Sequence, residues 1–153
     1  MREILFRGKA INRDEGYHRT EYQNGEWVYG LVTKLYDEQF KNLPAEMTNT
    51  NGISGIKIDY KTIGQYTNML DKNGKRIFEG DIIDFSDRSY SDGYGVVRYD
   101  AEGTEFEFVY DDHYEGLGRC YYPEDVEVIG NIYDNPELLG DEENESNDTL
   151  CYL

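Results

Sequence analysis

The sequence of 153 residues has the length of one domain, or of two small ones that share a core. Its 15 Lys and Arg stand against 32 Asp and Glu, and the net charge of −17 excludes a basic, DNA-binding surface over the whole protein. Aromatic residues make up 14% of the chain. Because disordered chains are poor in aromatic residues, most of this chain is expected to fold.

The sequence lacks the usual features of membrane, secreted and disulfide-stabilised proteins. No apolar run is long enough to cross a membrane as a helix, and residues 1–10 lack the apolar core of a signal peptide. Two cysteines, Cys120 and Cys151, supply neither a disulfide framework nor a complete zinc site. We therefore expect a cytoplasmic protein with reduced thiols and no membrane partner.

The charge is distributed unevenly along the chain. Residues 1–76 hold 12 Lys and Arg against 10 Asp and Glu, whereas residues 77–153 hold 3 against 22. This asymmetry predicts two parts with different surfaces.

The predicted elements of the first part are mostly strands. Strands are expected at residues 3–10, 26–32, 56–58 and 62–67, where β-formers are frequent. A helical turn is predicted at residues 37–42, before Pro44, and a loop rich in Asn and Gly at residues 44–55. The single tryptophan, Trp27, is expected to be largely buried against this sheet.

A hairpin turn is predicted at Asp71–Lys75. Asn73-Gly74 separates the apolar pairs Met69-Leu70 and Ile77-Phe78, and Asn-Gly between apolar residues is the strongest short hairpin signal. Either turn geometry that fits requires a positive φ at Gly74.

Further strands are predicted at residues 82–85, 96–99, 105–110 and 126–133, the first of them entered through a turn at Glu79–Asp81. In the third, Phe106, Phe108 and Tyr110 alternate with other residues, which predicts one face toward the core and one mainly toward water. Asn135 followed by Pro136 indicates the start of a helical turn.

Residues 140–153 are predicted to form an acidic tail. Five acidic residues and no apolar residue lie between Gly140 and Thr149, a composition typical of disorder. The last four residues, Leu150–Leu153, are mostly apolar and could pack against a neighbouring chain.

Together these elements predict a mainly β protein with little α-helix. Residues 1–76 form a smaller β-rich part, residues 77–139 a barrel that resembles the SH3-like fold, and residues 140–153 the acidic tail. Short strands spaced by turns close readily into a small barrel, which hides most strand edges.

Three blocks of sequence resemble the YopX family of phage and prophage proteins of Gram-positive bacteria. The blocks are residues 2–7, residues 62–67 with 71–83, and residues 128–139. The resemblance covers about residues 2–139, although residues 34–58 match little. The family commonly has Gly after the Gln-Tyr-Thr triplet, where this chain has Asn68, so a left-handed backbone is expected there.

The resemblance implies an SH3-like β-barrel in the C-terminal half and a bacterial host cytoplasm. It brings no established activity, cofactor or catalytic residue. The matched residues lie in turns and at strand ends, and we interpret them as structural.

Two acidic motifs are candidate metal sites. Asp111-Asp112-His113 with Glu115 has no second His nearby and matches no ligand spacing, so a solvated acidic loop is predicted. Asp71-Lys72-Asn73-Gly74 begins like a calcium loop, but its Gly stands at the fourth position rather than the sixth, and Ile82 stands at the twelfth position in place of Glu.

No nucleophilic centre can be assembled from the sequence. Cys120 has His113 upstream and Arg119 beside it, but a structural thiol is favoured because no Gly-flanked Cys motif is present. His18, between Tyr17 and Arg19, is interpreted as a surface residue. We predict no enzyme activity, no catalytic, cofactor-binding or metal-binding residue, and no cofactor.

The favoured function is a non-catalytic β module of unknown biochemical role that binds protein or assembles with itself. Aromatic residues are abundant here and are enriched in the cores of interfaces. The expected partners are a second copy of the chain or a host or phage protein, with the binding residues unknown.

The first alternative is an acidic mimic of nucleic acid that blocks a nucleic-acid-binding protein. Its carboxylates would include Glu105 and Glu107, about 6–7 Å apart on one strand face, close to the phosphate spacing of a single strand. Further acids cluster at strand ends: Asp100, Asp111 and Asp112.

The weaker alternative is direct binding of nucleic acid by the N-terminal part. Aromatic groups including Trp27 would stack on bases while basic residues contact phosphates. Those basic residues are Arg2, Arg7, Lys9, Arg13 and Arg19. The acidic half would repel the nucleic-acid backbone, so nucleic acid is not the expected partner.

Overall fold

The computed structural model describes residues 1–12, 22–36, 43–85, 94–119 and 121–140. About half of these residues lie in eleven strands, and the helical ones form only short 3-10 turns, at Tyr60–Thr62, Pro123–Asp125 and Pro136–Leu139. The strands are β1 (Phe6–Lys9), β2 (Trp27–Lys34), β3 (Ala45–Asn49), β4 (Ile56–Ile58), β5 (Gly64–Leu70), β6 (Arg76–Phe78), β7 (Asp81–Phe85), β8 (Gly95–Asp100), β9 (Glu105–Tyr110), β10 (His113–Gly116) and β11 (Val126–Asn131). The predicted mainly β class is confirmed.

The chain divides into two compact units, Met1–Tyr66 and Thr67–Leu153. The sequence predicts a later boundary, between residues 76 and 77. The predicted division into residues 1–76, 77–139 and 140–153 stays a prediction. The helical turn expected at 37–42 and the tail beyond Gly140 lie outside the described residues. Within the described ranges, no helical segment has the length and apolarity needed to cross a membrane.

The first unit is built on an antiparallel sheet with the order β4-β3-β2-β1-β5. Gly30 pairs with Phe6 on one side and Asn49 on the other. A Cβ at Gly30 would lie 1.9 Å from the carbonyl oxygen of Thr48, so only glycine fits there. Strand β5 begins in this sheet and continues past Tyr66 into the second unit.

The residues that follow β1 are also tied to β4, three strands later in the chain. Ala10 bridges to Ile58, and the Ile11 amide donates to the carbonyl oxygen of Lys57 at 2.9 Å. The core of the unit lies between these strands and contains Ala10, Val28, Ala45, Met47, Ile56 and Ile58.

Strand β3 was predicted as a loop, and this expectation was wrong. Its residues have few β-formers, but Ala45, Met47 and Asn49 alternate as buried residues that fill the core. Packing of one face thus outweighs local propensity in this strand.

Trp27 is half-buried in the sheet of the first unit. Its ring lies under two cations, with the Arg7 guanidinium 4.6 Å and the Lys9 ammonium 5.2 Å from a ring centroid. Arg7 itself is only 5% exposed. The ring therefore contributes cation–π attraction as well as apolar contact.

The second unit holds a five-stranded antiparallel sheet with the order β10-β9-β8-β7-β11. Four consecutive strands form a meander, and a 3-10 turn at Pro123–Asp125 leads into β11, which returns to pair with β7. In the described residues β10 and β11 are the two edges of this sheet, so a closed barrel is not found there.

Strand β10 replaces the acidic loop that the sequence predicted at this position. Asp111 and Asp112 have φ of 42° and 60° and turn the chain so that His113–Gly116 pairs with β9. Short polar side chains tolerate this left-handed backbone, which explains how two acids rather than glycine form the hairpin.

The core of the second unit is apolar and partly aromatic. Phe85 lies 4.7 Å from the ring of Tyr110 and 5.3 Å from that of Phe108. The buried residues are Ile77, Ile83, Phe85, Val97, Phe108, Tyr110, Val126 and Val128. The predicted alternation in β9 is confirmed for Phe108 and Tyr110, but Glu107 on the opposite face is buried at 6% exposure, because it pairs with Arg98 at 2.6 Å.

The turn at Asp71–Lys75 has the predicted left-handed glycine, with φ of 77° at Gly74. The Asp71 side chain, only 3% exposed, organises the turn. Its Oδ1 accepts from the amides of Asn73 and Lys75 at 2.9 and 2.8 Å. Its Oδ2 accepts from the amide of Val128 in β11 at 3.0 Å.

These bonds control the acidity of Asp71. Burial alone would raise the pKa of this carboxyl group, but the three amide donors and the charge of Lys75 outweigh burial and lower it. The carboxylate is therefore a structural ion rather than a calcium ligand.

Replacing Asp71 by Asn should lower the free energy of unfolding by about 1–3 kcal/mol, because an amide cannot accept the bonds that both carboxylate oxygens accept. Since the pKa of Asp71 is lower in the folded state, its stabilisation is present above the unfolded pKa and is lost as pH falls through the folded one. Urea unfolding of both proteins between pH 3 and 7 measures this. A cost in Asp71→Asn that does not shrink toward pH 3 would contradict the assignment.

Candidate binding groove

The second unit contains an open groove of about 660 Å³. One wall comes from the end of β5 and the turn that follows it. The other wall comes from β9 and from the chain between β10 and the 3-10 turn at Pro123–Asp125. The lining residues are Thr67, Asn68, Met69, Leu70, Asp71, Gly74, Phe106, Leu117, Gly118, Tyr121, Tyr122 and Pro123. Most of these side chains are apolar or aromatic.

The floor of the groove is continuous with the core. Met69, Leu117 and Tyr121 pack against the buried cluster of the unit. The amide of Leu117 donates to the carbonyl oxygen of Phe106 at 2.8 Å, which extends the β9–β10 pairing by one residue. The ring of Tyr121 meets that of Phe108 edge-on at 5.1 Å. The floor is therefore held by packing that exists before any partner binds.

The rim of the groove is exposed and apolar. Tyr122 is 69% exposed and Leu70 is 42% exposed. Both side chains can therefore lose surface to water when a partner binds, and burial of apolar surface is the main driving force of association.

Asn68 gives the β5 wall its shape. Its φ of 67° confirms the predicted left-handed backbone. The neighbouring Thr67 hydroxyl donates to the carbonyl oxygen of Ile77 at 2.9 Å and accepts from the amide of Met69 at 3.2 Å. These bonds fix the residues on either side of Asn68, so the kink directs Met69 toward the core and leaves Leu70 on the rim.

One polar atom near the groove has an unmet bonding requirement. Glu115 pairs with Phe108 across the β9–β10 ladder, on the strand that leads directly to Leu117. Its Oε2 is buried and has no hydrogen-bond partner in the described part of the chain. A buried carboxylate oxygen without a donor costs free energy.

The carboxylates proposed for nucleic-acid mimicry do not form a row of free charges on β9. Glu105 pairs with Arg119 at 2.8 Å, and Glu107 pairs with Arg98. Asp100 accepts from the amides of Glu102 and Gly103 within its own turn. Each of these acids thus has a local structural role.

The candidate metal ligands also have local roles. His113 stacks on Tyr110 with ring centroids 5.4 Å apart, and its Nδ1 lies 2.8 Å from the carbonyl oxygen of Asp111. Asp111 and Asp112 are exposed in the turn. Across the described ranges, no group of three or more His, Cys, Asp or Glu could hold a metal ion.

Several of the predicted residues fall outside the ranges that the structure describes. Cys120, Cys151 and His18 lie outside the described residues, as do Arg13 and Arg19. Of the basic residues considered for nucleic-acid binding, Arg7 is buried and its guanidinium faces Trp27, which leaves little of it for a phosphate.

The groove itself was missed at the sequence level. Its walls come from three segments that are distant along the chain, and no local pattern reveals that they meet. The one available signal is Tyr121-Tyr122-Pro123, an apolar group set before Glu124 and Asp125 in an otherwise acidic region.

Comparisons with known proteins agree with the fold. A family model described as YopX protein matches residues 6–140. Among solved structures, the crystal structure of protein EF1440 from Enterococcus faecalis is similar at 25% sequence identity and a TM-score of 0.52. The similarity covers 91% of this chain and 99% of that one. No curated protein matches the chain.

Substitutions at Asn68 test the shape of the wall. Asn68→Gly should change the free energy of unfolding by less than about 0.5 kcal/mol, whereas Asn68→Val should lower it by about 1–2 kcal/mol, because a β-branched residue is strained at positive φ. Asn68 is exposed, so lost packing does not confuse the comparison. Equal urea midpoints for the two variants would contradict this.

Proposed function

From the premise that the chain belongs to the YopX family, we propose that it is a non-catalytic β protein, encoded by a phage or prophage, that binds another polypeptide through the groove in its second unit. It acts in the cytoplasm of the bacterial host. The observation that carries this proposal is the groove, with an apolar floor fixed by the core and an exposed aromatic rim at Tyr122.

The chemistry of the lining favours a polypeptide over a small polar substrate. Exposed aromatic residues above a preformed apolar floor are typical of protein interfaces. The one carboxylate in the lining, Asp71, already accepts three backbone amides and is therefore unsuited to acid–base work. These features support binding without catalysis.

An SH3-like arrangement of the second unit is part of this proposal. Its support is the strand order, in which four consecutive strands form a meander and the fifth returns, after a 3-10 turn, to the first. Grooves lined by aromatic residues in small β folds bind extended, proline-containing segments. Tyr121 and Tyr122 line the groove here and directly precede the 3-10 turn that begins at Pro123.

Capture of host and phage proteins on the immobilised full chain tests the proposal. Proteins retained by the wild type should be lost from Tyr122→Ala, since the variant removes the most exposed aromatic group of the rim. Tyr114→Ala is the matched control, because Tyr114 is 56% exposed in the same unit and does not line the groove. Mass spectrometry of the retained proteins gives the readout.

The control separates the outcomes of the capture. Retention that is unchanged in Tyr122→Ala would refute the groove as the binding site. A nucleic-acid-binding protein retained equally by both variants, and released by salt, would favour acidic mimicry instead.

The chain is also expected to associate with itself, because apolar residues Leu150–Leu153 follow an acidic stretch and gain by leaving water. The net charge of −17 opposes association, most strongly at low salt. Light scattering should therefore show a mass above that of one chain that rises with concentration and with salt. A single-chain mass under all conditions would contradict self-association.

A further inference from the structure

We infer that the partner segment of this groove is cationic, extended and apolar in part, with Arg or Lys near Leu- or Pro-type side chains. This inference rests on the proposed function and adds the chemistry of the ligand. Three observations carry it: the charge of the second unit, the pairing of two cations beside the groove, and the exposed carboxylate of Glu124.

The whole net charge of the chain falls in the unit that contains the groove. Residues 1–66 hold 9 Lys and Arg and 9 Asp and Glu, whereas residues 67–153 hold 6 and 23. Glu124 and Asp125 follow Pro123 directly, so two acids flank the groove on the side opposite β5. A negative field of this kind attracts a basic segment and repels an acidic one.

Two cations beside the groove are already engaged. Lys72 pairs with Glu127 at 2.5 Å, and Arg119 pairs with Glu105 at 2.8 Å. An anionic ligand would have to break these interactions, whereas a cationic ligand would not.

Glu124 offers a partner for a ligand cation. It directly follows Pro123, which lines the groove, and it is exposed. A guanidinium or ammonium group of a segment in the groove can therefore reach this carboxylate.

The groove has room for part of an extended segment. A volume of about 660 Å³ lies within the range of pockets that hold a few side chains. Apolar side chains of an extended segment would contact Leu70 and Tyr122 while its basic side chains reach the flanking acids.

Fluorescence anisotropy with the full chain and three labelled nine-residue peptides tests the inference. The probes are repeats of Arg-Pro-Leu, of Glu-Pro-Leu and of Arg-Pro-Ser. The Arg-Pro-Leu peptide should bind at least tenfold more tightly than either of the others, since only it satisfies both the charge and the apolar lining. Raising the salt from 50 to 500 mM should weaken its binding severalfold.

Substitutions in the full chain locate the contact. Tyr122→Ala should weaken binding of the Arg-Pro-Leu peptide about tenfold and Tyr114→Ala should leave it unchanged. Glu124→Gln should weaken it about threefold, with Glu137→Gln, also exposed but outside the groove lining, as the matched control.

The outcomes distinguish this inference from the proposed function. Equal or tighter binding of the Glu-Pro-Leu peptide, lost in Tyr122→Ala, would overturn the cationic ligand and leave the groove as a polypeptide site. Equal binding of the two Arg peptides, unaffected by Tyr122→Ala, would show charge attraction alone and overturn it as well. If no peptide binds, and protein capture is also insensitive to Tyr122→Ala, both proposals fail.

Discussion

The carboxylate of Asp71 connects the hairpin turn to the last strand of the sheet. One oxygen holds the turn and the other accepts from Val128, while the Lys72 amide donates to the carbonyl oxygen of Val126 at 3.0 Å. Strand β11 pairs on its other side with β7, so the turn, β11 and the meander depend on one buried ion. The end of β5, which forms one wall of the groove, is held in place by the same contact.

The family resemblance reveals fold rather than activity because its motifs bond to one another through the backbone. The carbonyl oxygen of Gly80 accepts from the Ile132 amide at 2.9 Å, and the Gly80 amide donates to Val97 at 2.8 Å. The Asn131 side chain accepts from the amides of Tyr133 and Asp134. The identity of such residues is restricted by the backbone geometry that they must adopt. Their presence therefore indicates a shared fold and does not identify a ligand.

Local chemistry made much of this structure predictable, whereas long-range packing did not. The turn at Gly74, the left-handed Asn68 and strand β9 follow from signals within a few residues. Strand β3 and the groove depend on partners distant in sequence: Ala45–Asn49 is a strand because its alternate residues fill a core, and the groove exists where separate segments meet. The burial of Glu107 was likewise not predictable from local sequence, since it depends on the ion pair with Arg98 on the neighbouring strand β8.

The capping of β11 limits how copies of the second unit could join edge to edge. The Lys72 amide and the Asp71 carboxylate already bond to backbone groups on the outer side of β11. Another strand could pair with β11 on that side only if these hydrogen bonds broke. In the five-stranded sheet of the described residues, only the outer side of β10 remains for strand addition. Pairing of β10 with the β10 of a second copy about a two-fold axis uses this edge in both copies, so strand addition through this sheet would end at a dimer instead of a fibre.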